Sequence, residues 1–204
     1  MKLTWWGHAC FHIEGEDGSL VFDPYAPGSV PGLCLPPLAA DLVISSHSHR
    51  DHCCPEAVKN TRRLPGFKVE RIESFHDHHC GAHRGENTVS IIETEGLRLA
   101  HLGDLGHMPE GELLEKLRAL DILLLPIGGH YTIGAKEAAE LVKEIKPRLT
   151  IPMHYRGEGF GYDVIGPVED FTALFENVRY AESNELCTEG GIEEGILVLR
   201  CPVL

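Results

Sequence analysis

The order of apolar and polar segments predicts an α+β fold in which layered sheets are covered by helices. Two observations carry that prediction: extended runs open the chain in a meander, and further along strands alternate with helix-patterned segments. A third observation concerns chemistry. Four apolar strands run out into a side chain that can bind metal: residues 43–44 lead to His47, 99–102 to Asp104, 123–126 to His130 and 150–153 to His154. Sites in such folds form beyond the carboxyl ends of strands, so these four ends are expected to converge.

Each element has its own local reason. The opening strands are residues 2–6, 9–14 and 19–23, and Gly15-Glu16-Asp17-Gly18 turns the second into the third. Five prolines and two glycines between Pro24 and Pro37 predict a long irregular loop. Residues 41–45 read as a short buried strand, and Pro55 at a first helical position predicts a helix over 55–60. A strand is expected over 68–75, then a hairpin of 88–94 and 97–102 about Glu95-Gly96. Leu113, Leu114, Leu117 and Leu120 recur at helical spacing within 109–120. Residues 121–126 form the next strand. A helix over 135–146 follows, with Ala138, Ala139, Leu141, Val142 and Ile145 on one face and Pro147 as its stop. A strand at 149–153, a helix at 167–177 and a closing strand at 196–200 complete a single domain over 1–204.

Composition then narrows the function. A chain of 204 residues is long enough to bury roughly 70% of its unfolded surface. With 18 basic and 31 acidic residues the net charge is −13, the reverse of a nucleic-acid binder's footprint. The longest aliphatic run, 122–127, is interrupted by Pro126 and falls far short of the ~18 residues a membrane helix needs. The first residues lack the apolar stretch of a secretion signal, and seven cysteines without a Cys-x-x-Cys pair argue against a disulfide framework. These features predict free thiols, a cytoplasmic location and a small-molecule substrate, with no nucleic-acid or membrane partner. The anomaly is histidine: 13 in all, seven of them between His47 and His83.

The densest segment is Ser46-His47-Ser48-His49-Arg50-Asp51-His52, directly after a predicted strand. Imidazole and carboxylate suit zinc, manganese, iron or nickel, and histidine-rich sets characterise working sites more than closed structural ones. His47 and His49 fall on the same side of an extended backbone. A solvated polar loop is the plain alternative, but it does not require this order of residues. Downstream, Phe75-His76-Asp77-His78-His79-Cys80-Gly81-Ala82-His83 offers four further imidazoles. His8 follows the opening strand and can approach the same site or serve as a core histidine. Arg84 and Asn87 can orient an anionic substrate or brace a turn, and His130 and Tyr155 flank proposed ligands as candidate substrate contacts. Cys53 and Cys54 read as packing residues.

The His-x-His-x-Asp-His order resembles the signature of the metallo-β-lactamase superfamily, and the resemblance runs along almost the whole chain. Trp6-Gly7-His8-Ala9-Cys10-Phe11 is similar to the opening strand of its cytosolic, lactonase-like branch. His101-Leu102-Gly103-Asp104, Pro126-Ile127-Gly128-Gly129 and Ile151-Pro152-Met153-His154 resemble its later segments. The resemblance implies a four-layer αββα sandwich and two divalent ions, zinc foremost, with manganese, iron or nickel as alternatives. It implies His47, His49 and a mid-chain histidine on one ion. Asp51, His52 and His154 would hold the other, with Asp104 bridging. The family places the mid-chain ligand where a strand ends, which favours His76.

The implied activity is a metal-dependent hydrolase in which a metal-bridging hydroxide attacks a small ester, lactone or phosphodiester and Asp51 moves its proton. Two other readings stand beside it. One is a non-catalytic metal-binding protein; the other is a phosphodiesterase or nuclease of the same superfamily, which the acidic composition disfavours. No Gly-x-Ser-x-Gly elbow or Walker-type loop competes with the metal reading.

Overall fold

Two sheets face each other across one apolar core in the computed structural model, which describes residues 1–202. The first sheet contains β1 (Lys2–Trp5), β2 (Phe11–Gly15), β3 (Gly18–Phe22), β5 (Leu42–Ile44) and β13 (Glu185–Cys187), in the order β13-β1-β2-β3-β5. The second contains β7 (Lys68–Phe75), β8 (Glu86–Thr94), β9 (Leu97–His101), β10 (Ile122–Pro126), β11 (Leu149–Met153), β12 (Val178–Tyr180) and β14 (Gly195–Val198), in the order β12-β14-β11-β10-β9-β8-β7. Strands β4 (Leu38–Ala40) and β6 (Val58–Asn60) pair as a separate ribbon. This is the α+β sandwich that the family resemblance implies, and its two sheets are the layers that the order of elements predicts.

Burial explains the layering. Trp5, Phe11, Phe22 and Ile44 of the first sheet share a cluster with Ile92, Leu99, Leu124 and Ile151 of the second. Strands β10 and β11 are buried at every position, as parallel strands covered on both faces must be. Helices α1 (Gly111–Lys116), α2 (Ala135–Ile145) and α3 (Glu169–Thr172) contribute Leu113, Ala138, Leu141, Ile145 and Phe171 to that core. The first sheet is covered differently. A second cluster of Val21, Tyr25, Val30, Leu33, Leu38 and Val58 packs loop 24–37 and the β4–β6 ribbon beside it.

Three local expectations change. The helix predicted from Pro55 is a single 3-10 turn, Pro55–Ala57, because the next residues pair with β4 and bury Val58 opposite Leu38. The helix predicted over 167–177 keeps only the four residues of α3. Strands β12 and β13 are not legible in the sequence, since each is only three residues long. The edge of β1 recruits β13 through the register Lys2↔Cys187 and Leu3↔Leu186. The 95–96 hairpin turns as expected, with Glu95 at φ 49° and Gly96 at φ 73°.

Strand direction positions the site. β1, β3 and β5 run the same way in the first sheet, and β7, β9, β10 and β11 run the same way in the second. Their carboxyl ends meet along one rim of the sandwich.

Candidate metal centre

Six strand ends deliver polar side chains to that rim. His8 follows β1, Asp23 ends β3, and His47, His49, Asp51 and His52 follow β5. His76 ends β7, Asp104 follows β9 and His154 ends β11. His8, Asp23 and His154 have φ of 51°, 43° and 54°, the left-handed region that non-glycine residues seldom occupy. The chain thus turns sharply at three of these ends, at a cost in backbone strain. The His154 amide donates to the His8 carbonyl at 3.1 Å, joining the two sheets at the rim.

The side chains form two groups that meet at Asp104. His8, Asp51, His52 and His154 offer ligand atoms within 4.8 Å of one another, and so do His47, His49 and His76. Asp104 Oδ1 lies 3.2 Å from His52 Nε2, and Oδ2 lies 3.1 Å from His76 Nε2 and 3.2 Å from His154 Nε2. Its distance to His47 Nε2 is 4.0 Å. Of the four mid-chain imidazoles, His76 is the one gathered here; His78, His79 and His83 are exposed on the following loop.

A second ring of contacts sets the imidazole tautomers. His52 Nδ1 donates to Asp23 Oδ2 at 2.7 Å, and His76 Nδ1 donates to the Tyr131 carbonyl at 3.0 Å. Ser46 Oγ lies 2.9 Å from His47 Nδ1 and donates to Asp23 Oδ2 at 2.7 Å. Each bond engages Nδ1 and turns Nε2 toward the centre, the role outer contacts play around metal-binding histidines. Asp104 is itself fixed, its amide donating to Asn87 Oδ1 at 2.9 Å.

Electrostatics follow from burial and charge together. Burial alone would raise the Asp104 pKa, yet His154 and His52 beside it hold that pKa well below the usual carboxylate range. Burial also opposes a charged His52, but Asp104 and Asp23 outweigh it and raise its pKa well above the ordinary value. His47 and His8 go the other way. Burial, with the charge of His52 beside one and His154 beside the other, lowers each to about 3, so both are neutral at pH 7 with lone pairs available.

The donor set fits metal. His8 Nδ1 and Nε2, His47 Nε2, His52 Nε2, Asp104 Oδ1, and His154 Nδ1 and Nε2 are buried without a hydrogen-bond partner. One such orphan costs about 1–3 kcal/mol, and a cation among the Nε2 and Oδ atoms that converge on Asp104 would partner several of them at once. A cavity of about 370 Å³ opens on the centre, lined by His49, Asp51, His76, Asp104, Arg84 and Tyr131, with His83 and Tyr162 at its wall.

Other expected site residues lie elsewhere. Asn87 is buried and braces Asp104, Ser74 and the Leu102 carbonyl, so it does not face a substrate. Tyr155 is a core residue, 4% exposed and packed on Trp5 and Phe160. His130 is exposed against Tyr131, and Tyr131 rather than His130 forms the cavity wall. His101 stacks on Phe22 at 4.6 Å and donates to the Ala9 carbonyl, well inside the core. Sequence reasoning missed Asp23, Asp77 and Tyr162. Asp23 carried a readable signal, since it ends the apolar strand β3 as His76 and His154 end theirs. Tyr162 did not: its hydroxyl reaches Asp51 Oδ2 at 3.2 Å across 111 residues of chain.

A double-sheet sandwich with paired histidine groups and a shared aspartate on one rim defines the metallo-β-lactamase class. Residues 2–154 match the beta-lactamase superfamily domain, and the chain belongs to that family. It is 31% identical to a metal-dependent hydrolase of Thermococcus onnurineus, over 76% of this chain and 84% of that one. A metal-dependent hydrolase of Thermoplasma acidophilum is 32% identical, over 76% and 83% of the two chains. Among solved structures, a Zn-dependent hydrolase of the metallo-β-lactamase superfamily from Thermotoga maritima superposes with a TM-score of 0.77 at 35% identity, covering 97% of each chain.

Proposed function

We propose that the protein is a metal-dependent hydrolase of a small ester, lactone or phosphodiester, working with two divalent ions. The observation that carries this reading is the pair of ligand groups sharing Asp104 at the floor of an open cavity. His47, His49 and His76 would hold one ion; Asp51, His52 and His154 the other, with His8 beside them and Asp104 between. Histidine and carboxylate donors without cysteine suit zinc, with manganese, iron or nickel as alternatives. When bound, divalent ions supply Lewis-acid polarisation and lower the pKa of water toward ~7.

The chain's own groups do the rest. Burial would raise the Asp51 pKa, but His8, whose Nε2 lies 3.3 Å from Asp51 Oδ2, and the nearby His52 keep it below the ordinary range, so Asp51 remains a carboxylate able to accept a proton. The Tyr162 hydroxyl, which donates to the Ser29 carbonyl, lies 3.2 Å from Asp51 Oδ2 at the cavity wall. A volume of about 370 Å³ suits a small ligand rather than a polymer. All seven cysteines are free thiols, which supports a reducing, cytoplasmic setting, and no described helix is long and apolar enough to cross a membrane.

Elemental analysis of metal-loaded protein is expected to give two ions per chain. A screen across esters, lactones and phosphodiesters is expected to find turnover that Asp51→Ala reduces at least ~100-fold without loss of fold. Two ions with no turnover in any class would establish the non-catalytic metal-binding alternative instead.

A further inference from the structure

We propose that Arg84 anchors a second anionic group of the substrate, one that does not react. This inference rests on the hydrolytic site above only for where the reacting end of the substrate lies. Arg84 stands between two recesses. It lines the 370 Å³ cavity over the candidate metal centre and also a neighbouring polar cleft of about 690 Å³, and His49 is the other residue common to both. The cleft holds a second guanidinium, Arg71, which donates to the Ser45 carbonyl at 2.7 Å, together with Ser48 and Thr88. One acid, Glu86, lines it too.

The backbone of Arg84 is held in place, and its charge is not neutralised. The loop that carries it folds around Asp77, whose carboxylate accepts the amides of His79, Gly81, His83 and Arg84 at 2.7, 3.1, 3.0 and 2.8 Å. The guanidinium carbon sits 5.6 Å from the Tyr131 ring centroid, so an aromatic face supports it. Tyr131 also holds His76 through its carbonyl, which ties the arginine's support to a candidate ligand. Among the described residues no carboxylate lies within ion-pair distance of Arg84, in a chain with 31 acids to 18 bases. An unpaired guanidinium lying over an aromatic ring at the mouth of this cavity recognises carboxylate or phosphate, whose oxygens match its fork. The substrate class is therefore a small ester, lactone or phosphodiester that carries a separate carboxylate or phosphate.

The test is a binding series on metal-loaded protein. Succinate, glutarate and adipate are each compared, by titration calorimetry, with the monocarboxylate of the same carbon number. At least one diacid is expected to bind about tenfold tighter than its monoacid, the loss of one charge-assisted bond. Arg84→Gln and Arg84→Ala are expected to erase that preference with metal content unchanged, and Arg84→Lys to restore part of it. A 3-phosphonopropionate arm sorts the anions: tighter binding than succinate assigns phosphate, weaker binding assigns carboxylate. No diacid preference in the wild type, or a preference that survives in both neutral variants, overturns the proposal. Anion preference without any turnover would sink the hydrolase reading alone, and turnover without anion preference would sink this one alone.

Discussion

Asp23 accepts the His52 Nδ1 proton at 2.7 Å with both side chains excluded from solvent, and the same carboxylate accepts the Ser46 hydroxyl that supports His47. One aspartate therefore sets the orientation of an imidazole in each of the two ligand groups. Asp23→Asn keeps the shape but weakens both contacts. Metal affinity is expected to fall 10–100-fold, the usual effect of losing such support, while far-ultraviolet circular dichroism stays unchanged. Chelator competition measures it, and unchanged affinity would show that the tautomers are set elsewhere.

His76 ends β7 and touches Asp104, while His78, His79 and His83 stand in solvent on the next turn. His76→Ala is expected to lower bound metal per chain, and His78→Ala, His79→Ala and His83→Ala to leave it unchanged. Elemental analysis of the four variants decides, and loss in either His78→Ala or His79→Ala would reassign the ligand.

Gly106 is required by space. A Cβ there would run into the backbone carbonyl of His76 and the amide of Asp77, where the Gly106 amide already donates to the Phe75 carbonyl at 2.9 Å. Gly106→Ala must push the His76 turn aside. The expected cost is about 1–3 kcal/mol of stability, read by denaturant unfolding, together with weaker metal binding. A variant as stable as wild type would mean that the turn yields freely.

The pH response of the metal-free protein has a definite sign. His47 and His8 have pKa values lowered to about 3, so the unfolded chain binds protons that the folded chain refuses. Their contribution is lost as pH falls from about 6.5 toward 3. The depressed Asp104 carboxylate adds to that loss below about pH 4. His52, whose pKa is raised, stabilises fully below its unfolded value and loses that contribution as pH rises through its folded one. Thermal melts should therefore fall toward acid from about pH 6 to 4, where the raised His52 and His76 have already reached their full contribution, and metal ions should shift the melt upward less at pH 5 than at pH 7.5 because protons compete for the same nitrogens. A metal-induced shift as large at pH 5 as at pH 7.5 would contradict buried imidazole ligation.

What the sequence by itself determined was the local: strands that run out into ligands, the α+β order, the ligand order of residues 47–52, and His76 as the histidine nearest a strand end. These are legible because side-chain periodicity and turn chemistry act within a few residues. Only the tertiary structure decided what crosses between elements. The register of β3 on β5 places Phe22 opposite Ile44, so Asp23, one residue past Phe22, meets Ser46, two residues past Ile44. Tyr155 went to the core because Trp5 and Phe160 enclose it, and Asn87 became a brace because its donors point at Ser74 and Leu102. Tyr162 reached Asp51, and Arg84 came to stand between two cavities, through contacts that no local pattern encodes. The physical reason is that burial and pairing are settled by packing between distant segments, whereas the sequence displays only which residues would be able to pair.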